Sequence, residues 1–173
     1  MLIMPLFSII NVVIFQLAWF SAALLKDNAI IVMLLLLVIH MIMTTKRQVD
    51  IYTVMLILPI GIASELLLLS TGLLSYQSQL ILPVWMVLLW VHLSLSLNHS
   101  LEWMQKIPVV WQSVLAALAG AGSYAAAANL GAINLPGSQV TSLLLIALVW
   151  ALQLPFMMKV ARHVKLGRLT CPI

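Results

Sequence analysis

Acidic side chains are scarce in this chain, with four Asp and Glu among 173 residues against eight Lys and Arg. Charged residues of both signs make up only 7% of the sequence, too little polar surface to cover a water-soluble globule. That excludes a soluble enzyme or a separate soluble domain, and eight cations on an apolar chain give no reason to expect nucleic acid. The single cysteine, Cys171, excludes an intrachain disulfide; third from the end, it is one place short of a prenylation signal and reads as an ordinary thiol. Catalytic signatures are missing as well: there is no Gly-Xaa-Ser-Xaa-Gly elbow, no His-Glu-Xaa-Xaa-His, no phosphate loop and no dinucleotide fingerprint. No cofactor is expected. No metal is expected either, because the one regular histidine pair, His92 and His99, stands about 10 Å apart along a helix and cannot share an ion.

What the chain has instead is apolar length: 64% hydrophobic residues and a mean hydropathy of +1.18. Each hydrocarbon crossing takes about 20 residues, and six candidate spans can be marked at 3–25, 29–45, 51–74, 80–101, 109–130 and 140–160. These are continuous runs, not the alternating ten-residue segments of a barrel. The expected fold is an all-α polytopic membrane bundle, one domain over 1–173 with six transmembrane helices, sequential helices being antiparallel across short loops. The first span, with Ser21-Ala22-Ala23 near its end, lacks the positive charge that a signal peptide carries before its apolar core, so it reads as a retained helix.

Cations set the expected orientation. With both termini cytoplasmic, Lys46, Arg47, Lys106, Lys159, Arg162, Lys165 and Arg168 lie inside and Lys26 alone lies outside. The basic tail 159–173 then faces anionic headgroups, which attract such a segment by about 1 kcal/mol per cation, making membrane lipids the expected partners. The plainer reading of this tail is a topology anchor.

Glu65 is the acid with no loop within reach, about fourteen residues into the third span. Placing a carboxylate inside hydrocarbon costs at least ~2.5 kcal/mol, so it persists where a partner, a proton or a function compensates. His92, on the antiparallel fourth span, is expected to lie within pairing reach of Glu65, and the two would serve as acid and base. Asn11, Gln16, Asn98, Trp90 and Gln153 are the candidate ligand-binding residues around them, with His40 nearer the cytoplasmic interface. The plainer reading is a neutral Glu65 bonded to Asn11, Gln16 or a carbonyl freed by Pro59, holding helices together.

The fifth span is nearly all small between Ala116 and Ala128, which predicts close helix packing at the centre of the bundle and leaves room for an acyl chain or a narrow cavity. Pro59, Pro83 and Pro155 interrupt three other spans. Trp19, Trp85, Trp103, Trp111 and Tyr76 fall where an interfacial belt belongs, while Trp90 and Trp150 are deeper.

The stretch from Leu82-Pro83-Val84-Trp85 through Leu89-Trp90, followed by Leu97-Asn98-His99-Ser100-Leu101-Glu102-Trp103, resembles the bacterial inner-membrane proteins grouped as domain of unknown function 2878. The likeness extends to Asn11, Gln16 and Trp19, to an acid matched by Glu65, and to Trp150-Ala151-Leu152-Gln153-Leu154-Pro155. It implies a multi-pass protein of the bacterial inner membrane with no assigned activity. Two functions stay open on the residues: binding or modifying a lipid-like molecule at a polar site centred on Glu65, or acting as a noncatalytic scaffold or partner subunit. A small proton-coupled transporter is a third, weakened by the absence of legible inverted repeats.

Overall fold

Every described segment of length is helical, because uninterrupted Leu, Ile, Val and Ala leave the backbone no alternative that satisfies its own polar groups in hydrocarbon. The computed structural model describes residues 6–78 and 80–169; Cys171, Gln79, the tail end and the first residues of the expected first span lie outside them. Six α-helices run α1 (Leu6–Leu25), α2 (Ile30–Met43), α3 (Arg47–Ser70), α4 (Val84–Ser96), α5 (Val109–Asn129) and α6 (Gln139–Lys165), and an isolated bridge is the sole β pairing among the described residues. Leu6–Met43, Arg47–Ser70, Val109–Asn129 and Gln139–Lys165 are long and apolar enough to cross a membrane. The chain is therefore a helical membrane protein.

The first of those stretches is bent back on itself. A short turn, Lys26–Ala29, separates α1 from α2, Lys26 takes a φ of 53°, and the two helices pack against each other. α2 has 14 residues and α4 has 13, so at 1.5 Å per residue they span about 21 and 20 Å, less than a hydrocarbon core of roughly 30 Å. The fourth span expected over 80–101 is thus trimmed at both ends: Pro83 is the N-cap of α4 rather than an interruption, and residues 97–101 form turns. Pro59 and Pro155 do lie inside α3 and α6.

α4 packs against α1, α2 and α3, and α6 packs against α3 and α5. The short helix α4, not α5, is central; most of its second half is buried, Leu97 just beyond it is fully so, and α5 rides on the edge with Val109, Val110, Trp111 and Leu118 outward. The small residues of α5 serve one close approach to α6 and leave its opposite face open, which places it at the periphery. Leu, Ile, Val and Phe cover the outside of the bundle, as lipid contact demands.

Consecutive helices alternate in direction, so the connections fall into two sets. One end carries residues 44–46 and 97–108, where Lys165 Nζ meets Glu102 Oε1 at 2.5 Å. Partial burial alone raises the Glu102 carboxyl, but the Lys165 hydrogen bond and the charges of Lys165, Lys46 and Lys106 outweigh it and hold the group below the usual carboxylate range. The other end carries residues 71–78, 80–83 and 130–138, joined by reciprocal bonds between Ser75 and Asn134, N–H to O at 3.0 and 2.9 Å.

Candidate functional site

α3 ends earlier than its apolar run does, and this places Glu65. Gly72 adopts φ 71°, the Leu73 N–H bonds back to the Leu68 carbonyl and the Gly72 N–H to Leu69, closing the helix at Ser70. Gly131, φ 70°, closes α5 in the same way. Glu65 therefore lies five residues, about 7.5 Å, from its helix end, and the connection that the sequence put out of reach folds back over it. Tyr76, on that connection, donates its hydroxyl to Glu65 Oε1, and Tyr124 of α5 donates to Oε2 at 2.5 Å. The carboxyl is completely buried and is satisfied by two phenols, so its insertion cost is offset without a countercharge.

His92 is not its partner. Gly61, one turn before Glu65 on the same face of α3, receives the Trp90 ring, and a residue two positions along α4 points about 200° away from Trp90. His92 accordingly turns to α2, with Nε2 3.1 Å from the Met33 carbonyl. Helix register, unreadable from depth alone, separates the expected acid–base pair.

The other candidates divide between the two ends of the bundle. Asn11 and Asn98 belong to the end away from Tyr76: Asn98 Nδ2 donates to Thr53 Oγ1 at 3.0 Å and to the Ala161 carbonyl at 3.1 Å, and its Oδ1 accepts from Gln105 at 3.0 Å. Asn11 Oδ1 accepts the Ser100 hydroxyl at 2.5 Å, and Asn11 Nδ2 lies 3.3 Å from His40 Nδ1. Gln153 Nε2, Trp90 Nε1 and Trp150 Nε1 are the buried side-chain polar atoms without a partner among the described residues. The two indoles stack at 5.5 Å, 14° from parallel, Trp90 lying beside Glu65 and Trp150 beside Tyr124.

This stack is also the floor of a groove between α1 and α5. Phe15 and Trp19 of α1 face Ser123, Tyr124 and Ala127 of α5 across an inner chamber of about 60 Å³. The chamber shares Phe15, Trp19, Ser123 and Trp150 with an open outer groove of about 520 Å³, where Gln16, Ala119 and Ala126 join the lining. Of the residues expected to bind a ligand, Trp90 and Gln16 do line this space. Tyr124 both faces the chamber and holds Glu65, so the carboxyl sits one side chain behind the wall.

A second cluster, which sequence spacing does not suggest, joins His40, Asp50 and His99. His99 Nε2 lies 2.8 Å from Asp50 Oδ1, His40 Nε2 lies 3.3 Å from Oδ2, and Thr44 donates its hydroxyl to Oδ2 at 2.6 Å. Asp50 looks like loop punctuation in the sequence, but α3 begins at Arg47 and turns it inward to near-complete burial.

A family model described as "Protein of unknown function (DUF2878)" matches residues 8–156, from the first turn of α1 to the Pro155 turn of α6, and the chain belongs to that family. Comparison with curated proteins and with solved structures finds no match to either.

Proposed function

We propose that this member of the DUF2878 family binds a lipid-like molecule, its hydrocarbon chain in the groove between α1 and α5 and its polar end against Tyr124. The observation that carries this reading is Tyr124 itself, a phenol that lines an apolar chamber and is backed by a buried carboxyl. Glu65 accepts the Tyr124 proton bond from behind and orients the hydroxyl; the same pair can pass a proton to or from a bound head, which is the step a lipid-modifying activity would use. The indoles of Trp90 and Trp150 support this pair from behind the same wall, their buried Nε1 atoms lying toward Glu65 and Tyr124 respectively. Gln16, an exposed amide on α1, supplies a further polar point along the outer groove.

This reading places the protein in the bacterial inner membrane with six crossings and both ends of the chain cytoplasmic, so that seven of its eight cations lie inside. Glu65 then lies in the outer half of the bilayer, and the groove opens sideways to lipid.

The test is lipid retention. Wild-type protein purified in mild detergent, analysed by lipid extraction and mass spectrometry, is expected to carry a bound lipid, and Ala119→Trp, which fills the outer groove from an exposed position, is expected to lose most of it. Equal retention by wild type and Ala119→Trp overturns the assignment. Membrane lipid composition in cells carrying Glu65→Gln separates modification from binding: a profile matching the deletion strain supports chemistry at Glu65, and one matching wild type leaves a binding protein or scaffold.

A further inference from the structure

Away from Glu65, at the end of the bundle that carries residues 44–46 and 97–108, three potential ligands converge from three segments. His40 comes from the last turn of α2, Asp50 from the first turn of α3, and His99 from the turn that follows α4. Each is buried, and one nitrogen or carboxylate oxygen from each lies within 4.8 Å of the other two. Four ligands at about 2.1 Å around a tetrahedral ion stand roughly 3.4 Å from one another, so no two of these atoms need close by much more than an ångström, while Asp50 Oδ1 moves outward from its 2.8 Å contact with His99. We propose that His40, Asp50 and His99 form a binding site for a divalent transition-metal ion of the zinc class.

The donor set chooses the class of ion. Two imidazoles with one carboxylate suit Zn²⁺, Co²⁺ or Fe²⁺, whereas Mg²⁺ and Ca²⁺ take oxygen ligands. Three protein ligands leave a fourth position, and Thr44 stands beside the cluster, its hydroxyl on Asp50 at 2.6 Å. Thr44 also lines an open cleft of about 700 Å³ with Thr45, Lys46, Arg47, Gln48 and Val49, which gives the ion a path from water. Phe7 walls the other side, its ring 5.3 Å from that of His40 and 4.9 Å from that of His99.

The surroundings of His40 show what loading requires. A metal on Nε2 leaves the proton on Nδ1, which then needs an acceptor, and the group 3.3 Å away is the Asn11 amide. Turning that amide over puts Oδ1 on Nδ1 and lets Nδ2 donate to Ser100 Oγ. The change forfeits one long bond, from the Ser100 N–H to Asn11 at 3.3 Å. Asn11 is thus the positioning residue for His40.

The experiment uses the full chain without a histidine tag, stripped with a chelator, repurified and titrated with Co²⁺ alone. Wild type is expected to take one equivalent and to develop the visible absorption of a four-coordinate Co²⁺ ion. His99→Ala is expected to bind at least tenfold more weakly, Asn11→Ala about tenfold more weakly, and His163→Ala, outside the cluster, as tightly as wild type. Asp50→Asn, nearly the same shape, stands in for His99→Ala should that variant elute as aggregate. Absorption and stoichiometry that are absent from folded wild type, or unchanged in His99→Ala or Asp50→Asn, overturn the site and leave a hydrogen-bonded knot.

Discussion

A side chain at Gly61 or Gly120 has no room. A Cβ added at Gly61 meets the Trp90 ring at 2.4 Å, and one at Gly120 meets Trp150 at 2.2 Å, so each half of the indole stack is seated against a bare backbone on the neighbouring helix. Gly122, two residues on, faces open space. Gly120→Ala is expected to push Trp150 toward the groove and to lower stability by about 1–3 kcal/mol, the usual cost of overpacking a tight contact. Gly122→Ala removes no contact and gains helix propensity, up to roughly 1 kcal/mol. Thermal unfolding of the two variants in detergent reads the difference; comparable midpoints would mean that the stack tolerates a shift and does not fix the groove floor. Glu65 illustrates how far one residue can be read from sequence. Its burial and its need for partners follow from its place in an apolar run, but the partners, Tyr76 and Tyr124, are not read there as donors. Tyr124 did carry a signal, being a large hydroxyl-bearing residue among alanines and glycines deep in a span, where its proton must find an acceptor.

At the scale of the helices, Asn98 shows why α4 is short. The chain leaves the helix after Ser96 so that one amide can tie together α3 through Thr53, α6 through the Ala161 carbonyl, and the turn at Gln105. Asn98→Ala strands several buried groups, each worth about 1–3 kcal/mol, and is expected to lower the unfolding temperature clearly. Asn98→Asp is expected to be worse, since it sets a carboxylate oxygen against the Ala161 carbonyl where an N–H now donates. If Asp proves milder than Ala, the amide's donors are not what holds these three elements. Hydropathy located all six helices, because a run of Leu and Ile is its own signal, and it located α5 to within a residue. It erred where glycine, proline and polar side chains decide instead: Gly72 ends α3 at Ser70, Pro83 starts α4 late, and Asn98 to Leu101 leave the helix for turns, although Leu97 and Leu101 prolong the apolar run. The pairing of Glu65 with His92 failed for a different reason. Depth is a count along one helix, but contact depends on the rotation of two, and no loop length reports that angle.

For the molecule as a whole, the two polar clusters lie at opposite ends of one bundle, and the basic residues collect at the end that carries His40, Asp50 and His99. The sequence kept these three apart as a loop acid, an interfacial histidine and half of a seven-residue pair; only the folding of α2, α3 and the turn after α4 onto a common level joins them. Charge asymmetry then predicts which end faces the cytoplasm. Arg47 donates to the Met41 carbonyl at 2.9 Å, anchoring one cation beside the end of α2, and Lys165 pairs with Glu102 across the same face, so these charges sit on ordered turns. Drawing such an end through hydrocarbon costs about 2.5–3.5 kcal/mol for each cation near the centre, whereas the opposite end carries Lys26 beside Asp27. With Cys171 replaced by Ser, single cysteines at Asn28, Gln77 and Gly137 are expected to react with a membrane-impermeant maleimide on intact spheroplasts, and those at Gln48 and Lys106 only after lysis; all five positions are exposed in the fold. The alternation tests α2 and α4 most sharply, because they are about 10 Å shorter than the hydrocarbon layer and must either thin it or draw their polar turns inward. Labelling of Gln48 and Asn28 from the same side would show that α2 dips into the bilayer and returns, and would remove the six-crossing arrangement while leaving the helix packing intact.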